Sequence, residues 1–338
     1  MSVVGSWGIV DRLLPVHAVV FSPAADGTFA VTSLGSVDVH RSLPPLSKAG
    51  SRVPKEKALL WSRLVDAKDG DLPPVWHAAF SPDGSLLVAV GEKMATLFNV
   101  ADGTRLAEMP GSWGRGRVAF SPAGDSFAIA EARYDEDSDV HVFSIEGKLQ
   151  RTLKGNMDGV SAITWTTVGL THMLVTGNGY HGYIWDPVQG TLITNRQHPL
   201  VCLSPGPDPK YIIGAAEGGL MLFDRATMQL VHVMAGEEGA DMTTCGDVAF
   251  SPCGNFVAAA SETEGKAYIF RIATDATGGA TGALVATLES PSAAKGTLGR
   301  LAFDPRGDTL LTANFGYGPY GSGAVLRWDI SALTGSTV

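Results

Sequence analysis

The sequence predicts an all-β fold in which four-stranded antiparallel sheets repeat seven times around a closed ring. One stretch, Phe80-Ser-Pro-Asp-Gly84, sets the pattern: an apolar strand ends in an aromatic residue, a tight turn follows, and a second apolar strand begins. Proline presets φ at the second position of such a turn, and glycine accepts the positive φ that ends it. The residue before the turn recurs seven times, as Phe21, Phe80, Phe120, Trp165, Leu203, Phe250 and Phe303.

The spacing of these seven residues is the second observation behind the fold. Their intervals are 59, 40, 45, 38, 47 and 53 residues. A repeat of about 40–45 residues with four short strands is typical of the blades of a β-propeller. We therefore predict one propeller domain over residues 1–338, with blades at about residues 16–75, 76–116, 117–159, 160–197, 198–246, 247–298 and 299–330.

Apolar runs and turn residues then predict the strands of the first three blades. The first blade takes residues 16–21, 28–32, 37–40 and 58–65, with an inserted loop at 41–56 that contains prolines and several basic residues. The second blade takes residues 76–80, 86–90, 95–100 and 105–109. The third spans residues 117–153, and an acidic loop at 133–139 joins its second and third strands.

Among the last four blades, the seventh lacks a strand, and an unassigned segment before the first blade can supply it. The fourth and fifth contain Tyr183-Ile-Trp-Asp186 and Leu220-Met-Leu-Phe-Asp224, and the sixth carries an insertion at 273–282 that predicts a flexible hairpin tip. The seventh ends at Val325-Leu-Arg-Trp-Asp329 without an outer strand, whereas residues 6–15 precede the first blade without a unit of their own. Because exposed sheet edges invite aggregation, residues 6–15 are predicted to complete the last blade.

Composition narrows the classes of function. The net charge of −9 and the absence of a basic cluster argue against nucleic acid and are more compatible with a basic peptide, a neutral surface or a small molecule. Of these classes we expect a protein or peptide partner. No apolar run approaches the ~20 residues of a membrane span, and the N-terminus has no signal-peptide pattern, so we expect a cytoplasmic protein with no membrane contact. The cysteines Cys202, Cys245 and Cys253 follow no metal-binding spacing, and no cofactor or metal is predicted.

With these motifs in place, the chain resembles the WD-repeat β-propellers over essentially its whole length. Val118-Ala-Phe-Ser-Pro-Ala-Gly124 and the pair Trp185-Asp186 match the pattern of that family. The resemblance implies an interaction scaffold. Family blades often hold a histidine in the linker between blades, hydrogen-bonded to Ser/Thr, Asp and the Trp of Trp-Asp, but here Asn156 stands at that place. The blades are therefore expected to depend on apolar packing instead.

The candidate binding residues lie in loops that a propeller gathers at one end of its channel. Exposed aromatic side chains are enriched at binding hot spots, and acidic side chains attract basic peptides. The predicted partner-binding set is Trp76, His77, Trp113, Arg115, Arg117, Tyr134, Asp135, Asp137, Tyr180, His181, Phe315, Tyr317 and Tyr320. The alternative for the loop set is a structural role in capping the channel or packing between blades, and for the acidic residues it is a solvated hairpin tip.

An enzyme is the alternative function. The stretch Leu311-Thr-Ala-Asn-Phe-Gly is similar to blade segments of the bacterial lactonase propellers, which would imply a hydrolase with its site at the channel mouth. Such a site needs a base, a cation and an acid close together. The residues that the sequence offers for these roles are His77, Arg117, Glu131, His181 and Glu217.

Overall fold

The fold is described from a computed structural model. It describes residues 7–10, 15–24, 26–41, 51–53, 58–65, 72–132, 137–156, 159–198, 200–207, 210–216, 219–234, 244–274, 280–289, 297–315 and 323–334. Over these residues nearly all regular structure is β-strand, and the strands form seven sheets, which we call blades I to VII. The prediction of an all-β, seven-bladed β-propeller is confirmed.

Blades I to IV take their strands in chain order from the channel outward. Blade I contains β2 (Val16–Phe21), β3 (Phe29–Ser33), β4 (Ser36–His40) and β6 (Leu59–Leu64). Blade II contains β7 (His77–Phe80), β8 (Leu86–Val90), β9 (Met94–Asn99) and β10 (Arg105–Pro110). Blade III contains β11 (Arg117–Phe120), β12 (Ser126–Ala130), β13 (Ser138–Ser144) and β14 (Leu149–Asn156). Blade IV contains β15 (Ala162–Val168), β16 (Thr171–Gly177), β17 (Gly182–Asp186) and β18 (Thr191–Arg196).

Blades V and VI also take their strands in chain order from the channel outward, and blade VII adds two strands from early in the chain outside its third strand. Blade V contains β19 (Cys202–Pro205), β20 (Tyr211–Ala216), β21 (Gly219–Asp224) and β22 (Leu230–Met234). Blade VI contains β23 (Cys245–Phe250), β24 (Phe256–Ser261), β25 (Lys266–Thr274) and β26 (Ala280–Glu289). Blade VII contains β27 (Thr297–Phe303), β28 (Thr309–Phe315), β29 (Ala324–Asp329), β1 (Trp7–Val10) and β5 (Ser51–Val53). A short helix α1 (Ser331–Thr334) follows β29, and among the described residues no helix is long and apolar enough to cross a membrane.

The repeated turn has the geometry that its sequence predicts. In blade II the backbone N–H of Gly84 donates to the carbonyl of Ser81 at 2.9 Å, and Gly84 has a φ of +74°. The Ser81 hydroxyl also accepts from the N–H of Leu86 at 2.9 Å, so one side chain closes the turn against the next strand. The same glycine conformation recurs in blades III, VI and VII.

Apolar packing joins each blade to the next. The innermost strands contact one another in sequence around the ring, and β27 closes it against β2. Seven buried apolar clusters result, one at each junction between blades. Of the phenylalanines that end first strands, Phe80 and Phe303 are buried, whereas Phe21, Phe120 and Phe250 are half-buried at the edges of their clusters.

The N-terminal strand closes the ring. β1 pairs antiparallel with β29, with Trp7 opposite Trp328 and Val10 opposite Val325, and so supplies the fourth strand that blade VII lacks. The inserted segment of blade I, predicted as a loop, also contributes a strand: β5 pairs in parallel with β1 on its outer side. Both edges of β1 are therefore hydrogen-bonded. The insertion of blade VI is likewise partly strand, since β25 and β26 pair as far as Thr274 and Ala280.

Hydrogen bonding also holds the Trp-Asp blades together, contrary to the expectation of apolar packing alone. The indole of Trp185 donates to the hydroxyl of Thr176 at 3.0 Å, and that hydroxyl donates to Oδ1 of Asn156 at 2.6 Å. The asparagine amide thus serves as the acceptor at the place where the family often has a histidine. In blade VII the indole of Trp328 donates to Thr312 at 3.0 Å in the same way.

Candidate functional site

Antiparallel blades place two kinds of loop at one end of the ring. These are the loops from each outer strand to the next blade and the loops from each second strand to its third. We call this end the upper face and the opposite end, which carries the Ser-Pro-x-Gly turns, the lower face. The described residues of the predicted binding set lie in or beside these two kinds of loop.

The innermost strand of each blade is a sheet edge, and side chains from neighbouring blades satisfy its backbone groups. Nδ1 of His77 in blade II accepts from the N–H of Val118 in blade III at 3.4 Å. In the same way, Oδ2 of Asp247 in blade VI accepts from the N–H of Leu301 in blade VII at 3.1 Å. His77 and Asp247 each stand three residues before the aromatic residue that ends the strand, so the same position performs the same task in both blades.

Arg117 occupies the equivalent position in blade III, three residues before Phe120, and it too bonds to the backbone of the next blade. Its Nε donates to the carbonyl of Ser161 in blade IV at 3.0 Å. Burial lowers the pKa of the Arg117 guanidinium, while the carboxylates of Asp247 and Glu262 in blade VI raise it. Blades III and VI lie on opposite sides of a ring of seven, so this charge interaction runs across the channel.

The two carboxyls of blade VI are electrostatically unusual. Burial raises the pKa of Asp247 to about 7, against the opposing effects of the Leu301 N–H and the Arg117 charge. Burial also raises the pKa of Glu262, although Arg117 and Arg115 lower it. The channel mouth therefore holds an arginine, a carboxylate and a carboxyl that titrates near neutrality.

The pKa of His77 does not suit the acid–base role that a catalytic histidine performs. Burial and then the charge of Arg117 lower its pKa to about 3. It is therefore neutral at physiological pH, and its Nδ1 lone pair is occupied by the Val118 N–H. This position is a structural link between blades II and III, and the imidazole is a poor base there.

At the rim of the channel, Trp76 is half-buried and its indole contacts Arg115 and His17. The guanidinium of exposed Arg115 lies over the Trp76 ring, 4.9 Å from its centroid. The His17 ring packs against the same indole at 4.8 Å between centroids. Burial and then the Arg115 charge lower the pKa of His17 to about 4, so the histidine is neutral and only Arg115 carries charge. A cation held over an indole presents a flat surface with exposed hydrogen-bond donors.

Trp113 belongs to the interior of the molecule. It is 3% exposed, and its indole N–H donates to the carbonyl of Met109 at 3.1 Å. Its ring packs edge-on against the His141 ring at 5.3 Å between centroids. Nε2 of His141 in turn lies 3.2 Å from Oε1 of the buried Glu131 carboxylate. Trp113 thus packs between blades II and III and has no apolar area to offer a partner.

Tyr180 has the opposite character, because 66% of its surface is exposed. Its loop in blade IV is held by Asn178, whose Oδ1 accepts from the N–H groups of Tyr180 at 2.8 Å and of His181 at 2.7 Å. His181 is half-buried, 5.9 Å from the Tyr183 ring. The backbone of this short turn is held at both amides, and the Tyr180 ring is presented to solvent.

The remaining candidates are placed only in part. Asp137 is exposed beside β13, and Phe315 ends β28, although its side chain is outside the described residues. The predicted residues that lie wholly outside the described part of the chain are Tyr134, Asp135, Glu217, Tyr317 and Tyr320.

Asp247 and Glu262 were not among the site residues predicted from the sequence. Asp247 carries a signal, since it stands three residues before Phe250 as Arg117 stands three before Phe120. The thiols of Cys202 and Cys245 also lie close together, 3.9 Å apart across the junction of blades V and VI, whereas Cys253 is exposed. Among the described residues, no group of three or more His, Cys, Asp or Glu side chains is arranged to hold a metal ion.

Comparison with known proteins supports the fold alone. No family model and no curated protein sequence matches the chain. Among solved structures, 1428 chains match, so the architecture by itself does not choose a function. One is a chain of a structure described as the crystal structure of the mitotic checkpoint complex, with a TM-score of 0.72 and 14% identity over 95% of this chain and 90% of that chain. The chain therefore has the fold of a seven-bladed, WD-repeat-like β-propeller.

Proposed function

We propose that this protein is a non-catalytic scaffold that binds a protein or peptide through the upper face of its ring. The observation that carries the proposal is the Arg115 guanidinium held over the Trp76 indole at the channel mouth, 4.9 Å from the ring centroid. Aromatic and arginine side chains that are partly exposed and already positioned are the groups that contribute most at protein interfaces. A structural neighbour that crystallises as part of a protein complex is consistent with this use of the fold.

The contact residues divide into two groups by exposure. Arg115, Tyr180 and Asp137 are exposed and would meet the partner directly, with half-buried Trp76 beneath Arg115. Buried or inter-blade residues, represented by Trp113 and His77, support the loops rather than touching the partner. We retain Tyr134, Asp135, His181, Phe315, Tyr317 and Tyr320 in the proposed contact set because each lies in sequence between the second and third strands of its blade or at the end of that second strand.

A basic segment is the partner that the charges favour. The chain has a net charge of −9, and Asp137, a described residue of the acidic loop, is exposed beside β13. Glu262 at the mouth adds a carboxylate, although Arg115 and Arg117 oppose it locally. A Lys- or Arg-containing peptide would therefore approach over the acidic loop, and its association should slow as salt screens the attraction.

The test compares proteins captured from the native host by matched variants. Immobilised wild-type protein, Tyr180→Ala and Arg115→Ala are incubated with the same lysate, and bound proteins are quantified by mass spectrometry. Leu149→Ser, which changes an exposed residue on the outer strand of blade III, is the control. The proposal requires at least one protein retained by wild type and by the control but reduced tenfold or more by both upper-face variants. A capture profile that is identical for all four proteins would overturn it.

A hydrolase remains the second candidate, and one observation favours it. Arg117, Asp247 and Glu262 bring a cation and two carboxyls together at the channel mouth, and the pKa of Asp247 near 7 suits a general acid or base. Hydrolysis of a panel of lactones and 4-nitrophenyl esters tests this candidate directly. Turnover that Asp247→Asn abolishes, in a variant that stays folded, would establish the enzyme; absence of turnover across the panel would reject it.

A further inference from the structure

Blade IV departs from the other blades at the lower face. It lacks the Ser-Pro-x-Gly turn, and β15 and β16 continue pairing for three residues beyond Trp165, up to Val168 opposite Thr171. At about 3.3 Å per residue, the hairpin is extended by roughly 10 Å. Gly169, with a φ of +62°, and Leu170 form the two-residue turn, which is the kind that suits the twist of a hairpin.

The tip of this hairpin exposes an apolar side chain completely. Leu170 is 100% exposed, and Val188, on the turn between β17 and β18, is 69% exposed. Between the hairpin and blade III lies a groove of about 800 Å³, which is within the range of ligand sites. Its lining residues include Leu170, Val188, His172, Arg151 and Asp125.

Hydrogen bonds hold both walls of the groove in place. On the hairpin, Arg225 of blade V is buried and its guanidinium donates to the Thr166 hydroxyl, while Nδ1 of His172 lies 3.0 Å from the Thr167 hydroxyl. On the opposite side, Nε of Arg151 donates to the carbonyl of Val188 at 3.1 Å, tying blade III to the turn of blade IV. A groove with fixed walls loses little conformational entropy when it is filled.

The charges of the groove indicate what fills it. Arg151 is exposed, and among the described residues no carboxylate lies within ion-pair distance of its guanidinium. Asp125 is exposed at the turn of blade III, so the groove carries one charge of each sign beside an apolar wall. A folded surface would have difficulty entering beside the projecting hairpin, whereas an extended chain would fit along it.

From these features we propose that the lower face has a second, independent docking site for an extended peptide segment between blades III and IV. The segment carries a large apolar side chain that packs against Leu170 and Val188. A carboxylate on one side of that residue pairs with Arg151, and a basic side chain on the other side pairs with Asp125. The site is separate from the upper face, so the two surfaces are able to hold two ligands at once.

A displayed library of random twelve-residue peptides provides the test. Peptides are selected on the wild-type propeller after removal of those that bind a Leu170→Asp, Val188→Asp double variant. The affinities of the selected peptides are then measured by calorimetry for Leu170→Ser, Val188→Ser and Arg151→Glu. We expect at least tenfold weaker binding to each, with an apolar residue flanked by opposite charges in the selected sequences.

Two controls separate this site from folding defects and from the upper face. Leu149→Ser alters an exposed leucine on β14 that does not line the groove, and Tyr180→Ala alters the upper face; both should bind the peptides as wild type does. Leu170 is fully exposed, so its variants should keep the thermal unfolding midpoint. The proposal fails if selection enriches no peptide above the starting library, or if the Leu170 and Leu149 variants bind equally well.

Discussion

The hydroxyl of Thr176 donates to Oδ1 of Asn156 at 2.6 Å, joining the second strand of blade IV to the last residue of the outer strand of blade III. Both residues are buried. The same hydroxyl accepts from the Trp185 indole at 3.0 Å, so one oxygen satisfies two buried groups. The asparagine oxygen supplies the acceptor that the Thr176 hydroxyl needs at this point.

Replacing this hydroxyl should therefore be costly. Thr176→Val keeps the side-chain shape but leaves a buried indole N–H and a buried amide oxygen without partners. We expect the free energy of unfolding to fall by about 2–4 kcal/mol, measured by urea denaturation. Thr191→Val, on the exposed outer strand of the same blade, is the control and should stay within about 0.5 kcal/mol of wild type. Equal losses in the two variants would contradict the role of the network.

A second prediction concerns pH and Asp247. The pKa of this carboxyl is raised from 3.8 to about 7 by burial, so between these values the folded state binds more protons than the unfolded state. Its contribution to stability is present below about pH 4 and is lost as the pH rises toward 7. Asp247→Asn removes the titration and keeps an oxygen to accept the Leu301 N–H. The stability of the variant relative to wild type should therefore increase with pH, by at most about 1.4 kcal/mol per unit.

Urea midpoints of both proteins at pH 4, 5.5 and 7.5 measure this difference. His17 and His77, whose pKa values are lowered to about 4 and about 3, give both proteins an opposite trend, in which stability rises with pH up to about 6.5. Because both histidines are present in each protein, their effect cancels in the comparison. A difference that is constant from pH 4 to 7.5 would show that Asp247 does not titrate in this range.

Trp113 and Tyr180 should respond to truncation in opposite ways. Trp113→Ala removes a buried indole between two blades and should lower the free energy of unfolding by about 3–5 kcal/mol. Tyr180→Ala removes an exposed ring and should change it by no more than about 0.5 kcal/mol. Denaturant unfolding of the two variants side by side makes the comparison. A stable Trp113 variant would mean that the indole is available to a partner after all.

Closure of the ring gives the fourth prediction. β1 is hydrogen-bonded on both sides, to β29 and to β5, so a proline within it breaks pairing whichever edge its nitrogen faces. Ile9→Pro should cost about 3 kcal/mol or more and increase aggregation, because the edge of blade VII is bared. Ile9→Val preserves the backbone pairing and is the control. Thermal unfolding and light scattering measure both effects, and identical behaviour of the two variants would contradict the closure.

The fold was predictable because its signals are local. The turn at Phe80-Ser-Pro-Asp-Gly84 specifies a hairpin through the preferences of proline and glycine, and seven spaced copies imply a ring. The candidate site was less accessible, since the charges of Arg117 and Asp247 interact only after the two intervening blades, IV and V, have been placed. Trp113 and Tyr180 both occupy upper-face loops, and only the packing of neighbouring strands decides that one is buried and the other exposed.

The pairing of β1 with β29 also sets the order in which the molecule is completed. Residues 7–10 are synthesised more than 300 residues before their partners at 324–329. β5 must wait as well, because its only described partner is β1. The other six blades have their described strands before residues 324–329 are made, whereas blade VII needs a contact between strands more than 300 residues apart. Closing so long a loop is slow. Ring closure should therefore be the last and rate-limiting step of folding. Until it occurs, the unpaired strand β1 is the segment that we expect a chaperone to bind.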